Sequence, residues 1–177
     1  MPQRQKRAFM NTIQVTRAGE GEHWLVISDV TTVKASARHT SGNLLVVEVN
    51  VPPGGGPPAL HRHGYAEAFL FQEGELEVST VDEDYALGTF RVTAGDNVSV
   101  PSMVWHNFKN VGANPGRFIA VHSPAVMEDF MREIGRQIDD PQNPPQPAGP
   151  PSEEERQRMM EIIGKYMEVL PPDKARQ

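Results

Sequence analysis

The stretch from Pro52 to Pro58, PPGGGPP, excludes both a helix and a central strand, because proline lacks an amide donor and glycine offers no side chain to pack. It must be a loop that positions whatever follows it. Before it lie two β-branched runs, WLVISDVTTVKA and LLVVEVNV, separated by turn material at His39, Thr40, Ser41, Gly42 and Asn43. After it come EAFLFQ, ELEVSTV, TFRVT, NVSVP, VWHNFKNV and RFIAVHS, each of strand length and bounded by Gly, Pro, Asn or Asp. Many short strands at near-regular spacing predict a mostly β chain folded as a barrel or sandwich. The 16 prolines and 15 glycines supply the turns that such a fold consumes.

Past Pro124 the period changes. Val126, Phe130, Ile134 and Ile138 recur every fourth residue and predict a helix over 125–140. Residues 141–151 hold six prolines and read as an extended linker. Ser152 with Glu155 forms a capping-box pattern, and Met159, Met160, Ile162, Ile163, Tyr166, Met167 and Leu170 give an apolar face until Pro171 and Pro172. A final helix is therefore expected over 152–171, free either to dock on its own barrel or to reach a second copy. Residues 1–20 are expected to be a flexible N-terminal arm and 21–124 the barrel. A length of 177 residues suits one domain with tails, and no internal repeat is visible.

Composition narrows the partners. A formal net charge of −6 disfavours a phosphate-backbone partner, and the one basic cluster, Arg4 to Arg7, reads as a solvated terminus. No apolar run reaches the ~20 residues that span a bilayer, and no secretory pattern follows the basic start, so neither nucleic acid nor membrane is expected and a cytoplasmic location is. With no cysteine, a metal site here must use nitrogen and oxygen ligands.

The chemistry is concentrated in LHRHGYAEAFLFQEGELEV. His61 and His63 are two apart and Glu67 is four further on, so in an extended chain all three share a parity and face one cavity. His106, in PSMVWHNF, can complete the set. Three imidazoles and a carboxylate suit one divalent transition metal, Fe, Mn, Ni, Co, Cu or Zn, with one or two positions left for water, substrate or dioxygen. A buried carboxylate among histidines is hard to account for as structure alone.

These residues resemble the two motifs of the cupin superfamily. Gly55, His61, His63, Glu67 and Gly74 match every position of the first. Gly95, Pro101, His106 and Asn110 match the second, whereas Met103 stands where the family has glycine; the departure is expected to reshape that turn and bring Met103 to the site mouth. The resemblance covers residues 24 to 125 and implies a double-stranded β-helix, the cupin jelly-roll barrel, with C-terminal helices. The twenty residues between Gly74 and Gly95, together with the tail layout, resemble the small quercetin 2,3-dioxygenase-like monocupins. That likeness implies a metal-dependent oxygenase acting on a small aromatic or enol substrate with O2, and a homodimer. Glu67 would be a ligand or the base that takes the substrate's hydroxyl proton. The same site could serve a non-oxidative isomerase, lyase or cyclase, or a module that binds a small molecule unchanged.

Phe69 and Phe71 share parity with Glu67 and, with Met103 and Phe108, are the candidate substrate pocket. His23, His39 and His122 read as ordinary surface or core histidines. Gly54, Gly55 and Gly56 match no phosphate-binding loop, and the Asn97–Ser99 sequon has no secretory context.

Overall fold

A computed structural model describes residues 13–146 and 149–175. The basic cluster and most of the expected N-terminal arm lie outside the described residues. Of the rest of that arm, Lys34 Nζ donates to the Arg17 and Glu20 carbonyls at 2.7 Å each, which ties the approach to the first strand.

Two antiparallel sheets face one another. The first contains β1 (Glu22–Val26), β2 (Asp29–Ala35), β3 (Leu45–Val51), β5 (Ala66–Glu73), β8 (Asn97–Val100), β10 (Gly116–Ser123) and β11 (Arg136–Ile138), in the order β11-β1-β2-β3-β10-β5-β8. The second contains β4 (His61–Arg62), β6 (Glu75–Val81), β7 (Leu87–Thr93), β9 (His106–Asn110) and β12 (Glu168–Val169), in the order β12-β4-β9-β6-β7. This is the jelly-roll barrel that the resemblance implies, with its core between the inner faces. The alternation is visible in β3, where Leu45, Val47, Val49 and Val51 are buried and the residues between them are half-exposed. Phe118 on β10 lies opposite both Val49 and Phe71 and is 1% exposed.

The PPGGGPP loop carries the chain from the first sheet to the second and is pinned to β9. Gly54 N donates to Asn110 O (2.9 Å) and Asn110 N to Gly55 O (3.0 Å), while the Asn110 side-chain amide donates to Val51 O (2.8 Å). Asn110 thus joins the end of β9 to the end of β3. Gly56 sits at φ 116, and a Cβ there would lie 2.2 Å from Phe108 O, so only glycine fits.

The C-terminal elements differ from the periodicity reading in their limits. The first helix, α1, spans Met127–Ile134 and ends at Gly135; Ile138 of the expected stripe belongs instead to β11, paired with His23 of β1. Four-residue spacing cannot separate a helix end from a short strand that also turns inward. Glu128 fastens α1 to the barrel, accepting from Ser36 Oγ (2.8 Å), Ala37 N (2.6 Å) and Arg132 Nη2 (2.8 Å). The second helix, α2, spans Glu153–Tyr166, with Ser152 and Glu155 making both bonds of the capping box. It ends before 171, because the chain goes extended at Met167 and residues 168–169 pair with β4, Val169 opposite His61. Leu170 N then donates to Leu60 O at 2.8 Å. The tail therefore folds back on its own barrel.

Candidate metal centre

His61 and His63 flank Arg62 on and just after β4, and His106 opens β9 directly opposite His61. One ring nitrogen from each of the three lies within 4.8 Å of the others. Their second nitrogens are tied to main-chain carbonyls: His61 Nδ1 to Ala59 O (3.3 Å), His63 Nδ1 to Tyr65 O (3.1 Å) and His106 Nδ1 to Val104 O (2.9 Å). A carbonyl can only accept, so each Nδ1 donates its proton away from the cluster and each Nε2 is left turned toward it. Each partner carbonyl is two residues from its histidine, so local backbone geometry sets ring orientation and tautomer. Burial, helped by His106, pushes His61 down to about 4, so its imidazole is neutral at pH 7.

Glu67 approaches from the other sheet. Its Oε1 is 3.3 Å from His63 Nε2 and its Oε2 is 3.0 Å from His106 Nε2. Burial alone would raise its carboxyl, but His106, His122 and His63 outweigh that and hold it well below the ordinary carboxylate range. His63 Nε2 and Glu67 Oε2 are buried without a hydrogen-bond partner. The unpartnered Glu67 oxygen and the unpartnered His63 nitrogen, with the rings of His61 and His106 beside them, form a donor set that a divalent cation would satisfy, and the residues fit such an ion.

Parity accounts for only part of this convergence. The chain bends at Gly64–Tyr65 and crosses between sheets, so Glu67 meets the histidines because two inner faces oppose each other. Shared parity places His61 beside His63; the jelly-roll closure brings in Glu67 and His106.

His122 is the residue that the sequence reading passed over. It is 3% exposed on β10, directly opposite Glu67 on β5, with Nδ1 2.8 Å from Glu67 Oε1. A signal existed: in RFIAVHS it shares parity with Phe118 and Ala120, which face the core. Tyr65 was also missed. Its ring stacks on His63 with centroids 3.6 Å apart and planes at 5°, its hydroxyl donates to Met127 Sδ (3.3 Å), and burial pushes its phenol well above the usual range.

A cavity of about 200 Å³ opens onto this cluster, reaching His61, His106, Glu67, His122 and Tyr65 at its floor. Phe69 and Phe108 line it. Phe71 does not; it packs behind, its ring 5.3 Å from that of Phe118. Met103 is 46% exposed and outside the lining, and it adopts φ 65, the left-handed conformation in which glycine is easiest. Met160, Ile163 and Met167 around α2 and Val169 of β12 wall the cavity from the tail. One carboxyl stands apart from the floor: Asp29, buried in the lining beside the Ser28 hydroxyl, is raised by burial to about 6.

Residues 47–122 match the cupin domain family. Over 121 residues, 68% of this chain, the sequence is 27% identical to quercetin 2,3-dioxygenase of Bacillus subtilis, and it spans about a third of that relative's length (34%). An RmlC-like cupin from Shewanella frigidimarina superposes with a TM-score of 0.55 at 21% identity, covering 69% of this chain and 99% of that one, which supports the fold alone. Among the described residues no helix is long and apolar enough to cross a membrane.

Proposed function

We propose, from the match of residues 47–122 to the cupin domain family, that this chain is a metal-dependent oxygenase for a small aromatic or enol substrate, with His61, His63 and His106 holding one divalent transition metal. The carrying observation is the arrangement of three imidazoles, each tethered through Nδ1, around a buried carboxylate on the floor of an apolar cavity. When bound, such an ion would lower the pKa of an enol or phenol oxygen that meets it and provide the redox-active centre for reaction with O2.

The chain's own residues have definable tasks. Glu67, ionised and beside the triad, takes the substrate's hydroxyl proton at Oε2, the oxygen left without a hydrogen-bond partner. Tyr65 keeps its own proton at neutral pH and braces the His63 ring. Phe69, Phe108 and the methionines of the tail hold a flat apolar body and exclude water from the floor. The likeness to quercetin 2,3-dioxygenase supports this substrate class, and the apolar walls agree with it. Pairing into a homodimer belongs to the same proposal, and light scattering should give twice the chain mass of 19.6 kDa.

The test is oxygen uptake by the metal-loaded protein on a panel of flavonols and enediols, with Glu67→Gln beside it. Consumption of O2, with kcat reduced by about 10²–10⁴ in the variant, is the expected result. Turnover that proceeds without oxygen would replace the oxygenase with an isomerase, lyase or cyclase. Ligand binding with no product would leave a binding module.

A further inference from the structure

His122 has no place in the motif that supplies the metal ligands, yet its Nδ1 makes the shortest contact of any imidazole with Glu67, 2.8 Å to Oε1. Both side chains are more than nine-tenths buried, and both sit on central strands, β10 and β5, at facing register positions. Rotation of the carboxylate is therefore limited by a neighbour that is itself fixed by the sheet, with Tyr65 edge-on to the His122 ring at 5.9 Å. The two oxygens are left unequal. Oε1 lies between His122 and His63, whereas Oε2 points to His106 with no hydrogen bond of its own. Nδ1 of His122 has no hydrogen-bond partner elsewhere among the described residues, so its close approach to Oε1 is the polar contact that this nitrogen makes.

We propose that His122 is a positioning residue: it holds Glu67 by Oε1 and so keeps Oε2 turned to the metal site, as a ligand in the resting centre and as the base once a substrate takes its place. The proposal rests on the metal-dependent reading above and assigns a role that the ligand motif does not contain. Groups that orient a metal-site carboxylate change affinity by about 10–100-fold when removed, and that is the size of effect expected here.

The test is titration of metal-free protein with Co²⁺, followed by the ion's visible absorption, with folding checked by circular dichroism. His122→Asn places an amide nitrogen near the position of Nδ1, whereas the longer His122→Gln places it near Nε2. The expected result is near-native Co²⁺ affinity in H122N and a loss of about 10–100-fold in H122Q and His122→Leu. In a Glu67→Gln background the same His122 changes should add no more than about twofold, the scatter of independent sites. Equal affinity in H122N and H122Q, or a His122 effect undiminished in the Glu67→Gln background, would overturn the positioning role while leaving the metal centre intact. Wild-type protein that takes up no Co²⁺ would overturn both.

Discussion

The floor and the mouth of the cavity are built in opposite ways. On the floor, polar side chains from β4, β5, β9, β10 and the bend after β4 converge, and main-chain carbonyls fix His61 and His106 there and His63 behind them. Away from the floor the walls are apolar, and part of them comes from α1 and from a tail that reaches the barrel through a proline-rich segment. The floor is positioned by strands locked into two sheets. The mouth is positioned by side-chain packing and a few tail contacts: Lys165 and Tyr166 with Glu133, Arg62 with Glu168, and the two-residue β12. Metal chemistry should therefore be insensitive to changes at the mouth, and substrate preference should be sensitive to them.

Asp29 gives the largest expected departure from that division, because it is a lone buried carboxyl at the apolar end. Its pKa is raised from 3.8 to about 6 by burial, so the folded state favours the protonated form. The associated stability is fully present below pH 3.8 and is lost as pH rises through 6, a cost of about 3 kcal/mol at pH 8. Asp29→Asn should remove it: thermal melts should show the variant more stable than wild type at pH 8, with the gap closing toward pH 4. A constant difference between the two at all pH values would show that Asp29 is not held neutral by its surroundings.

On the floor, His106→Ala should abolish the stabilisation that metal brings. At an ion concentration one hundred times Kd that term is about 2.7 kcal/mol, or roughly 5–10 °C in Tm for a domain of this size. Wild type should show the shift on adding Co²⁺ or Zn²⁺ and the variant should not.

A smaller effect sharpens the contrast. Met160→Ala and Met167→Ala remove wall surface from the tail and should raise KM about five-fold, near 1 kcal/mol, with kcat and metal content unchanged. A fall in metal content would mean that the two ends are coupled. The smallest is Glu168→Gln, which breaks a half-exposed pair with Arg62, itself 4.4 Å over the Trp105 ring. A cost of about 0.5 kcal/mol is expected, with faster hydrogen exchange confined to α2 and β12.

The same division governs how much the sequence reveals. The strands were legible because each runs between clear turn signals, and Glu67, Phe69 and Phe71 do share a buried face. The triad was legible because H-x-H on one strand and a histidine opening another are local patterns. His122 was not, because a single histidine among apolar residues carries no local mark; only the pairing of β10 with β5 sets it against Glu67. Tyr65 was hidden for a similar reason, sitting in the bend that parity treated as extended chain. Phe71 and Met103 were misplaced because parity identifies a face without saying how deep along the barrel the cavity runs. In the tail, the capping box marked the start of α2 well, but β12 depends on β4 offering a free edge, a property of the closed sheet.

Elemental analysis of purified wild-type protein and His106→Ala is the most direct test of the central claim. The three-histidine centre requires about one divalent transition metal per chain in the wild type and a substoichiometric trace in the variant. Wild-type protein grown with ample metal and purified without it, or a variant that retains as much as wild type, would contradict the account.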